Sequence, residues 1–345
     1  MTIHSFTSKV KEKENLSYEE MLLAAELIFH EETPKEAIAE LLIALSNKGE
    51  TTEEVAALAM VMKSYALPLN LTEGNYLDNC GTGGDGLQSF NISTTSAFVL
   101  AASDVSIVKH GNRKISSASG SSDVLHALGI HTDFTLGDSV EMLNKTGITF
   151  LHAPNVHPKL KRIGEVRRSI GKPTIFNMVG PLTNPAKLTT QLVGINRPEF
   201  VRNYADVLRI LGRKRAVVVS GTQGMDEASL DQENTFALLE NSEVKPFSVE
   251  IEALGLTPAP VSALRGGTPE ENAIILRDLL SGKQSAYFDA VLLNAGLALF
   301  AYGKVSSVID GVELARESIL SGKALAKLEA VVEYSQSILK ERAVR

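Results

Sequence analysis

The spacing of the apolar residues changes near residues 68–74, and this change restricts the possible folds more than any other feature of the sequence. Before it, long runs carry apolar residues three or four positions apart, which is the spacing of amphipathic helices. After it, short β-rich runs alternate with helical patterns, which favours a mostly parallel sheet covered by helices. We therefore predict an α/β protein with a small helical N-terminal domain over residues 1–70 and a larger α/β domain with a central sheet over residues 71–345. Some internal helices of the larger domain can pack with the helical domain.

Helix-start signals support this division. The pattern Ser/Thr-x-x-Glu, in which the first side chain caps the helix and the glutamate reaches back to the cap, precedes helical runs at Ser17, Thr33, Thr51 and Thr268. A proline follows Thr33 and Thr268, and proline fits the first turn of a helix. We expect three or four helices in the first 67 residues.

The predicted strands of the larger domain are short. A β-rich run ends at Cys80, and further runs lie at 105–108, 148–151, 174–176, 191–195, 216–220 and 235–239. Helical patterns separate many of them, and the chain beyond about residue 311 is helical and charged. Strands that alternate with helices indicate parallel pairing, because a crossover helix returns the chain to the same end of the sheet.

Composition excludes several classes of protein. A hydrophobic content of 44% and a charged content of 22% are ordinary for a globular protein and exclude general disorder. The net charge of −7 argues against a mainly electrostatic binder of nucleic acid or anionic membranes. The single cysteine, Cys80, excludes an intrachain disulfide framework and a multi-cysteine zinc site. Without a secretory signal or an apolar run of about 20 residues, we expect a cytoplasmic protein with no membrane partner.

A glycine-rich segment follows the first β-rich run. Residues 78–94 read DNCGTGGDGLQSFNIST, and a helical run begins near Ser93. Glycine tolerates positive φ and lets a ligand approach the backbone closely. A helix N-terminus offers unpaired N–H groups and a positive dipole end to an anion. The segment therefore predicts a phosphate site.

Two other interpretations of this segment stay open. The spacing Gly81-x-Gly83-x-x-Gly86 matches a dinucleotide-binding fingerprint, although that fingerprint opens its helix inside the motif rather than about seven residues later. Asp85 would also repel a pyrophosphate unless it binds sugar or metal. The second alternative is a glycine-rich turn without a ligand, which loses backbone entropy for no contact in return.

A second polar cluster follows the run at 105–108. It comprises Lys109, His110, Asn112, Arg113 and Lys114, and a serine-rich stretch then leads into a short helical run. Hydroxyls and amides beside a helix N-terminus, with a lysine nearby, indicate an oxyanion site. A solvated basic loop with a serine-rich cap is the alternative.

Asp226 and Glu227 follow the β-rich run at 216–220. Loops at the carboxyl ends of parallel strands form the ligand crevice of an α/β sheet. Mg²⁺ is usually held by one or two carboxylates together with substrate oxygens and water. The pair therefore predicts a Mg²⁺ site, with an acidic surface turn as the alternative.

Arg167 and Arg168 are the candidates for binding a carboxylate, because a guanidinium group matches it with two parallel donors. Neighbours on a helix face different directions, so at most one of them contacts the ligand. The sequence contains no HExxH, GxSxG or Walker A motif, which leaves proteolysis, lipolysis and P-loop hydrolysis poorly supported.

The motifs together, in their order, resemble one known family. The strings GTGGDG, SFNIST, VKHGNR, SGSSDVL, TIFNMVGPLTNP and GMDE are similar to those of the anthranilate phosphoribosyltransferases, and the match runs from about residue 16 to residue 330. The resemblance implies transfer of the phosphoribosyl group of 5-phosphoribosyl 1-pyrophosphate (PRPP) to anthranilate in tryptophan biosynthesis, with Mg²⁺ as cofactor. It also implies an active site between the two domains and a homodimer.

The resemblance further implies roles for single residues, none of them an acid or a base. The PRPP contacts it implies are Gly81, Gly84, Asp85, Ser89, Asn91, Ser93, Thr94, Lys109, Asn112, Ser117 and Ser121. The anthranilate contacts it implies are Gly81, His110, Asn112 and Arg167, and the Mg²⁺ ligands are Ser93, Asp226 and Glu227. Val156 departs from the family, which often has two histidines before the proline at this point.

Two rival functions stay open on the sequence. Pyrimidine nucleoside phosphorylases have a similar architecture but lack a KHGNR string and a GMDE-type acidic pair, both of which occur here. A non-enzymatic, nucleic-acid-binding relative would need a basic face, which the negative net charge disfavours.

Overall fold

The computed structural model describes residues 2–112, 119–231 and 233–344 and confirms the predicted fold class. Four helices form the N-terminal part: α1 (Ile3–Lys11), α2 (Tyr18–Phe29), α3 (Lys35–Lys48) and α4 (Thr52–Ser64). Ser17 caps α2 and Thr51 caps α4, each in a complete capping box as predicted. No helix in the described ranges is long and apolar enough to cross a membrane.

The predicted cap at Thr33 is wrong. α3 begins at Lys35, Pro34 occupies the cap position, and no side chain caps the helix. The carbonyl oxygen of Thr33 accepts a hydrogen bond from Arg162, which also donates to the carbonyl oxygen of His30 at 2.8 Å. Arg162 therefore holds the carbonyl groups of this turn, while the N–H groups that start α3 have no side-chain cap.

The larger part of the chain is built on one seven-stranded sheet in the order β3-β2-β1-β4-β5-β6-β7. Its strands are β1 (Leu77–Gly81), β2 (Ile107–Gly111), β3 (Ile148–His152), β4 (Thr190–Gly194), β5 (Arg215–Ser220), β6 (Thr235–Glu240) and β7 (Glu243–Phe247). The first five strands in this order pair in parallel, and β6 and β7 complete the sheet as an antiparallel hairpin.

Two strand predictions differ from the structure. The predicted strand at 174–176 is wrong, because the Asn177 side chain accepts a hydrogen bond from the Thr174 N–H at 3.1 Å and turns the chain into a short helix. The strand β7 was not predicted, since it is an edge strand that carries Pro246 and exposed charges instead of an apolar alternation.

Helices cover both faces of the sheet. Those of the larger part are α5 (Ile92–Ala102), α6 (Ser121–Ala127), α7 (Leu136–Thr146), α8 (Ala153–Val156), α9 (Leu160–Ile170), α10 (Phe176–Val179), α11 (Val201–Ile210), α12 (Pro269–Leu280), α13 (Ala286–Tyr302), α14 (Val308–Leu320) and α15 (Lys323–Val344). The predicted capping box of Thr268 and Glu271 starts α12. The helical pattern predicted for the end of the chain corresponds to α14 and α15.

The two sheet faces carry separate hydrophobic cores. On β5, Val217 and Val219 pack in a core with α5 and α12 to α15, whereas Ala216 and Val218 pack in a core with α1 to α4 and α9 to α11. Successive side chains of a strand point to opposite faces, which separates the two sets. The helical N-terminal part therefore shares one continuous core with internal helices of the larger part.

The strand order reverses beside β1. The chain runs from β1 outward to β2 and β3 and then returns to place β4 on the other side of β1. Ligands of open α/β sheets bind at such a switch point, beyond the carboxyl ends of the strands. Gly81 is the last residue of β1 and Gly194 is the last residue of β4, and the two are paired with each other at this switch point.

Candidate active site

Two glycines allow an acidic loop to lie directly on the switch point. A Cβ atom on Gly81 would lie 2.0 Å from Oδ2 of Asp226, and one on Gly194 would lie 1.7 Å from the carbonyl oxygen of Asp226. Atoms that approach so closely exclude any side chain at these two positions. Sequence reasoning assigned Gly81 to the phosphate loop and, through the family resemblance, to the anthranilate contacts as well. It missed Gly194 because a single glycine at a strand end carries no local signal.

The glycine-rich loop after β1 has the backbone geometry expected of it. Gly83, Gly84 and Gly86 have φ values of 72°, 83° and 74°, which favour glycine. The N–H of Gly83 donates to Oδ2 of Asp226 at 2.6 Å. Helix α5 begins at Ile92, well beyond the last glycine, whereas a dinucleotide fingerprint opens its helix inside the motif.

The acidic pair of Asp226 and Glu227 lies between this loop and the start of α5. Oε1 of Glu227 accepts from the N–H of Ser93 at 3.2 Å, and Oδ2 of Asp85 accepts from the N–H of Asp226 at 3.4 Å. Burial raises the pKa of Asp226 well above its usual range, and the charges of Asp85 and Glu227 add to this. Burial also raises the pKa of Glu227 to about 7, although Lys109 opposes the shift.

These carboxylates form a hard, oxygen-rich donor set with more negative charge than its surroundings neutralise. Such a set suits a divalent cation that also binds substrate oxygens and water. Among the residues that the structure describes, no group of three or more His, Cys, Asp or Glu side chains is arranged to hold a metal ion alone. A cation would therefore need further ligands from a substrate.

Lys109 and the start of α5 are connected through Asn79. Nζ of the buried Lys109 donates to the carbonyl oxygen of Asn79 at 3.0 Å, and the Asn79 amide donates to the carbonyl oxygen of Ser93 at 2.8 Å. The lysine charge is thus held beside the acidic pair.

The second polar cluster is anchored by backbone contacts. Oγ of Ser121 donates to the carbonyl oxygen of Asn112 at 3.1 Å, and a Cβ atom on Gly111 would lie 2.4 Å from the Ser121 hydroxyl. Oδ1 of Asn91 accepts from Asn272 at 2.9 Å. Ser117, Arg113 and Lys114 lie outside the described residues.

Two neighbouring cavities contain the predicted contacts. The polar cavity is lined by Gly81, Gly84, Asp85, Ser89, Asn91, Ser93, Thr94, Lys109, Asn112, Ser121, Asp226 and Glu227, among others. The apolar cavity is lined by Met62, Gly81, His110, Asn112, Arg167, Phe176, Asn177, Gly180 and Pro181, among others. The two share a wall formed by residues 80–84 and 110–112. Met62 belongs to α4, so the apolar cavity lies between the helical part and the sheet.

Arg167, and not Arg168, faces the apolar cavity. Nη2 of Arg167 donates to Oδ1 of Asn177 at 3.2 Å, and its guanidinium group lies 5.9 Å from the centre of the Phe176 ring. Arg168 is exposed. Asn177 also accepts from Thr174, so it fixes both the loop and the arginine. Sequence reasoning missed Asn177, whose place depends on that local turn.

Asn294 is a second residue that sequence reasoning missed. Its Oδ1 accepts from the N–H of Ala228 at 3.0 Å, and its Nδ2 donates to the carbonyl oxygen of Ala228 at 2.9 Å. The amide thereby fixes the backbone next to Glu227. A lone amide within the otherwise apolar run AVLLNAGLALF of α13 is a signal that could have identified it.

His110 and His157 meet behind the shared wall with their ring centres 5.2 Å apart. Burial lowers the pKa of His110 to about 3 and that of His157 to about 4, so both rings are neutral near pH 7. Nδ1 of His110 lies 3.2 Å from the carbonyl oxygen of Gly180. Of the two residues, His110 lines both cavities, and its neutral ring adds no charge to them.

Two family models match the chain. The description of one is "Glycosyl transferase family, helical bundle domain", over residues 4–66, and that of the other is "Glycosyl transferase family, a/b domain", over residues 73–325. The chain is 52% identical over 331 residues to the anthranilate phosphoribosyltransferase of Listeria monocytogenes serotype 4a, covering 96% of this chain and 98% of that one.

The solved structures that resemble this chain include members of the same family. The crystal structure of anthranilate phosphoribosyltransferase from Thermus thermophilus superimposes with a TM-score of 0.90 at 39% identity, covering 96% of this chain and 99% of that one. The Saccharomyces cerevisiae enzyme is 26% identical and covers 97% of this chain and 98% of its own. Its structures with PRPP and Mg and with 4-fluoroanthranilate give TM-scores of 0.84 and 0.87.

The neutral histidines make stability depend on pH. The pKa of His157 is about 4 in the folded chain against an ordinary value of 6.5, so the unfolded chain takes up the proton first as the pH falls. The free energy of unfolding should therefore fall between pH 6.5 and pH 4, by up to about 1.4 kcal/mol per pH unit for this residue. In His157→Gln, the free energy of unfolding measured by urea denaturation should fall less steeply with decreasing pH across this range, by about that amount. The exposed control His4→Gln should keep the original slope, and an unchanged slope in His157→Gln would contradict the expectation.

Proposed function

The chain belongs to the anthranilate phosphoribosyltransferase family, and we propose that the polar and apolar cavities are the two halves of its active site. The enzyme transfers the phosphoribosyl group of PRPP to the amine of anthranilate, giving N-(5-phosphoribosyl)anthranilate and pyrophosphate in tryptophan biosynthesis. Family membership favours this reaction over nucleoside phosphorolysis and nucleic-acid binding. The observation that carries the assignment is the shared wall of the cavities, because molecules bound on its two sides would meet at one point.

PRPP is assigned to the polar cavity. The N–H groups of the glycine-rich loop and of the first turn of α5 are suited to phosphate oxygens, and Lys109 adds a positive charge. The proposed contacts are Gly81, Gly84, Asp85, Ser89, Asn91, Ser93, Thr94, Lys109, Asn112, Ser117 and Ser121, of which Ser117 lies outside the described residues. Backbone donors and one lysine suffice because the field that binds the substrate is local, whatever the net charge of the chain.

Mg²⁺ is the cofactor, and Ser93, Asp226 and Glu227 are the proposed ligands. The raised pKa values of the two carboxylates support this assignment, since their charges are poorly compensated within the protein. When bound, the ion neutralises charge on the pyrophosphate and makes it a better leaving group.

Anthranilate is assigned to the apolar cavity, with Gly81, His110, Asn112 and Arg167 as its proposed contacts. The guanidinium group of Arg167 would pair with the carboxylate, while Phe176 and Met62 border the aromatic ring. Because Arg167 is already fixed by Asn177, the carboxylate would be bound in one orientation and the amine directed at the shared wall.

Catalysis by these residues consists of positioning and electrostatic stabilisation. The bond between the ribosyl carbon and pyrophosphate breaks, its electron pair leaves with pyrophosphate, and positive charge develops on the carbon. The lone pair of the aromatic amine forms the new C–N bond, and the nitrogen then loses one proton to pyrophosphate or to water. We assign no acid or base, because an aromatic amine is weakly basic and carries its lone pair free near pH 7. The neutral ring of His110, which lines both cavities, agrees with this, since it adds no positive charge beside the developing cation.

We also propose a homodimer formed through the helical part. Four of the seven large apolar side chains that are more than a third exposed in the described residues lie in the first 70 residues: Leu23, Ile43, Met60 and Leu67. Apolar side chains gathered on a small helical unit favour burial against a second copy. A cytoplasmic location is proposed as well, and the single cysteine is consistent with a reducing compartment.

The carboxylate role of Arg167 can be tested by kinetics. Arg167→Ala should raise the KM for anthranilate about 10- to 100-fold, because it removes a charged hydrogen-bond donor. The KM for PRPP should change little. The measurement follows the loss of anthranilate fluorescence at varied concentrations of each substrate. The exposed neighbour provides the control, Arg168→Ala, and an unchanged anthranilate KM in Arg167→Ala would reject the assignment.

The metal role of the acidic pair can be tested in the same assay. The double variant Asp226→Asn, Glu227→Gln should lose its Mg²⁺ dependence and about a hundredfold or more of its turnover. Its melting temperature without metal should not fall, since the amides remove repulsion between buried carboxylates. Wild-type turnover by this variant at low Mg²⁺ would contradict the proposal.

The dimer can be tested by sedimentation. The wild-type chain should sediment at twice the mass of one chain, and Ile43→Asp should shift it towards the monomer, because a buried unpaired charge is costly. Ile309→Asp places the same charge on an exposed residue of α14 and should leave the dimer intact. A monomeric wild type, or equal effects of both variants, would argue against an interface on the helical part.

A further inference from the structure

One wall of the apolar cavity depends on side chains from other elements. This wall segment, residues 178–181, includes Gly180 and Pro181, which line the cavity. Its carbonyl oxygens accept hydrogen bonds from side chains: Met178 O from Oη of Tyr204 at 2.6 Å, Gly180 O from Oγ1 of Thr183 at 3.1 Å, and Pro181 O from Nε2 of Gln191 at 2.7 Å. The helices within the segment are one turn long, so these bonds determine where its backbone lies.

The residue that donates to Pro181, Gln191, is itself held by a further hydrogen bond from Arg213. Gln191 lies on β4 and is fully buried, at 0% exposure. Its Oε1 accepts from Nε of Arg213 at 3.0 Å while its Nε2 donates to Pro181. A guanidinium group can only donate, so Arg213 must face the oxygen of the amide. The NH₂ group is thereby directed at Pro181, and the amide cannot flip without losing both bonds.

Burial of the Arg213 charge at this position is energetically unfavourable. Arg213 is 5% exposed, it forms no ion pair within 4.0 Å in the described part of the chain, and its Nη2 has no partner there. Burial lowers its pKa to about 10, although the charge of Asp78 opposes the shift. Its one other hydrogen bond within the described residues is long, from Nη1 to the carbonyl oxygen of Leu211 at 3.5 Å. A buried charge without a close ionic partner is destabilising, and a residue that only filled this space would be apolar. A role that needs a fixed donor accounts for the arginine.

We propose that Arg213 and Gln191 are positioning residues for the acceptor substrate. Arg213 orients the Gln191 amide, and the amide fixes Pro181 and with it the wall against which the aromatic ring of anthranilate packs. This inference rests on the assignment of anthranilate to the apolar cavity. Neither residue lines either cavity, so both act through Pro181 and not through contact with substrate.

Kinetics with both substrates test the inference. Gln191→Met keeps the length of the side chain but removes the donor, and it should raise the KM for anthranilate about fivefold to tenfold, as loss of one buried hydrogen bond predicts. The KM for PRPP and kcat should change less than about twofold, since the polar cavity is untouched. If Gln191→Met does not fold, Gln191→Glu keeps an acceptor for Arg213 and replaces the donor with a carboxylate oxygen that repels the Pro181 carbonyl oxygen. It should raise the KM for anthranilate at least as much as Gln191→Met.

The route through Arg213 is tested by a double-mutant cycle. Arg213→Met should raise the anthranilate KM less than Gln191→Met does, and Arg213→Lys, which keeps a donor, should recover most of the loss. The double variant should match Gln191→Met alone, because Arg213 acts only through the amide. If the two single substitutions raise the anthranilate KM by factors that multiply in the double variant, Arg213 does not act through Gln191. The same holds if Arg213→Lys leaves the anthranilate KM as high as Arg213→Met does.

Two controls separate this role from a general loss of packing and from a wrong cavity assignment. Ser318→Ala breaks a buried hydroxyl pair with Ser103, 2.8 Å long, at the end of α5 remote from the cavities, and should change neither KM. Equal rises of both KM values in Gln191→Met would overturn the inference. If Arg167→Ala raises the anthranilate KM and Gln191→Met does not, the inference fails while the cavity assignment holds; if neither does, the assignment itself fails.

Discussion

The approach of the Asp226 backbone to the ends of β1 and β4 is the contact on which the rest of the site depends. Gly81 and Gly194 are paired across these strands, and any side chain on either would occupy the space of the acidic loop. With the loop seated there, Asp226 meets the Gly83 N–H and Glu227 meets the Ser93 N–H. One close backbone contact thus places the acidic pair beside the glycine-rich loop and the start of α5.

The same contact explains why the two cavities differ so strongly in character while sharing a wall. On one side, carboxylates, backbone N–H groups and Lys109 form a site for highly charged groups. On the other side, the neutral His110, Phe176 and Met62 leave Arg167 as a charge that a carboxylate can meet. A reaction between a polyanionic donor and an aromatic acceptor needs both environments within bonding distance of each other.

Features set by short-range rules were predictable from the sequence. The capping boxes at Ser17 and Thr51, the glycine-rich loop and the alternation of strands and helices follow from local geometry and periodicity. The predicted strand at 174–176 failed because the Asn177 side chain competes for the local backbone. The cap at Thr33 failed because α3 begins one residue later than the pattern predicts, with Pro34 at the cap position. Sequence reasoning could not choose between Arg167 and Arg168 without the family resemblance, because the orientation of α9 depends on its packing against the helical part.

Most partners in long-range side-chain contacts could not be predicted from the sequence. Gly194, Asn294, Gln191 and Arg213 are far in sequence from the groups they contact, and only the folded sheet brings them together. Asn294 has a recognisable signal as a lone amide in an apolar helix. Gln191 has none, because one polar residue in a short strand is as common on an exposed face as in a buried network.

Alternate side chains of β4 and β5 belong to different hydrophobic cores, and this affects what a substitution in these strands can change. Leu192, Val217 and Val219 lie in the core that contains Phe90, Ile92 and Met225, next to the polar cavity. Val193, Ala216 and Val218 lie in the core that contains Met62, Phe176 and Met178, next to the apolar cavity. The parity of a position along these strands therefore decides which of the two cavities lies next to the core that a substitution changes. A substitution on one face of the sheet alters the packing under one cavity and leaves the core on the other face in place.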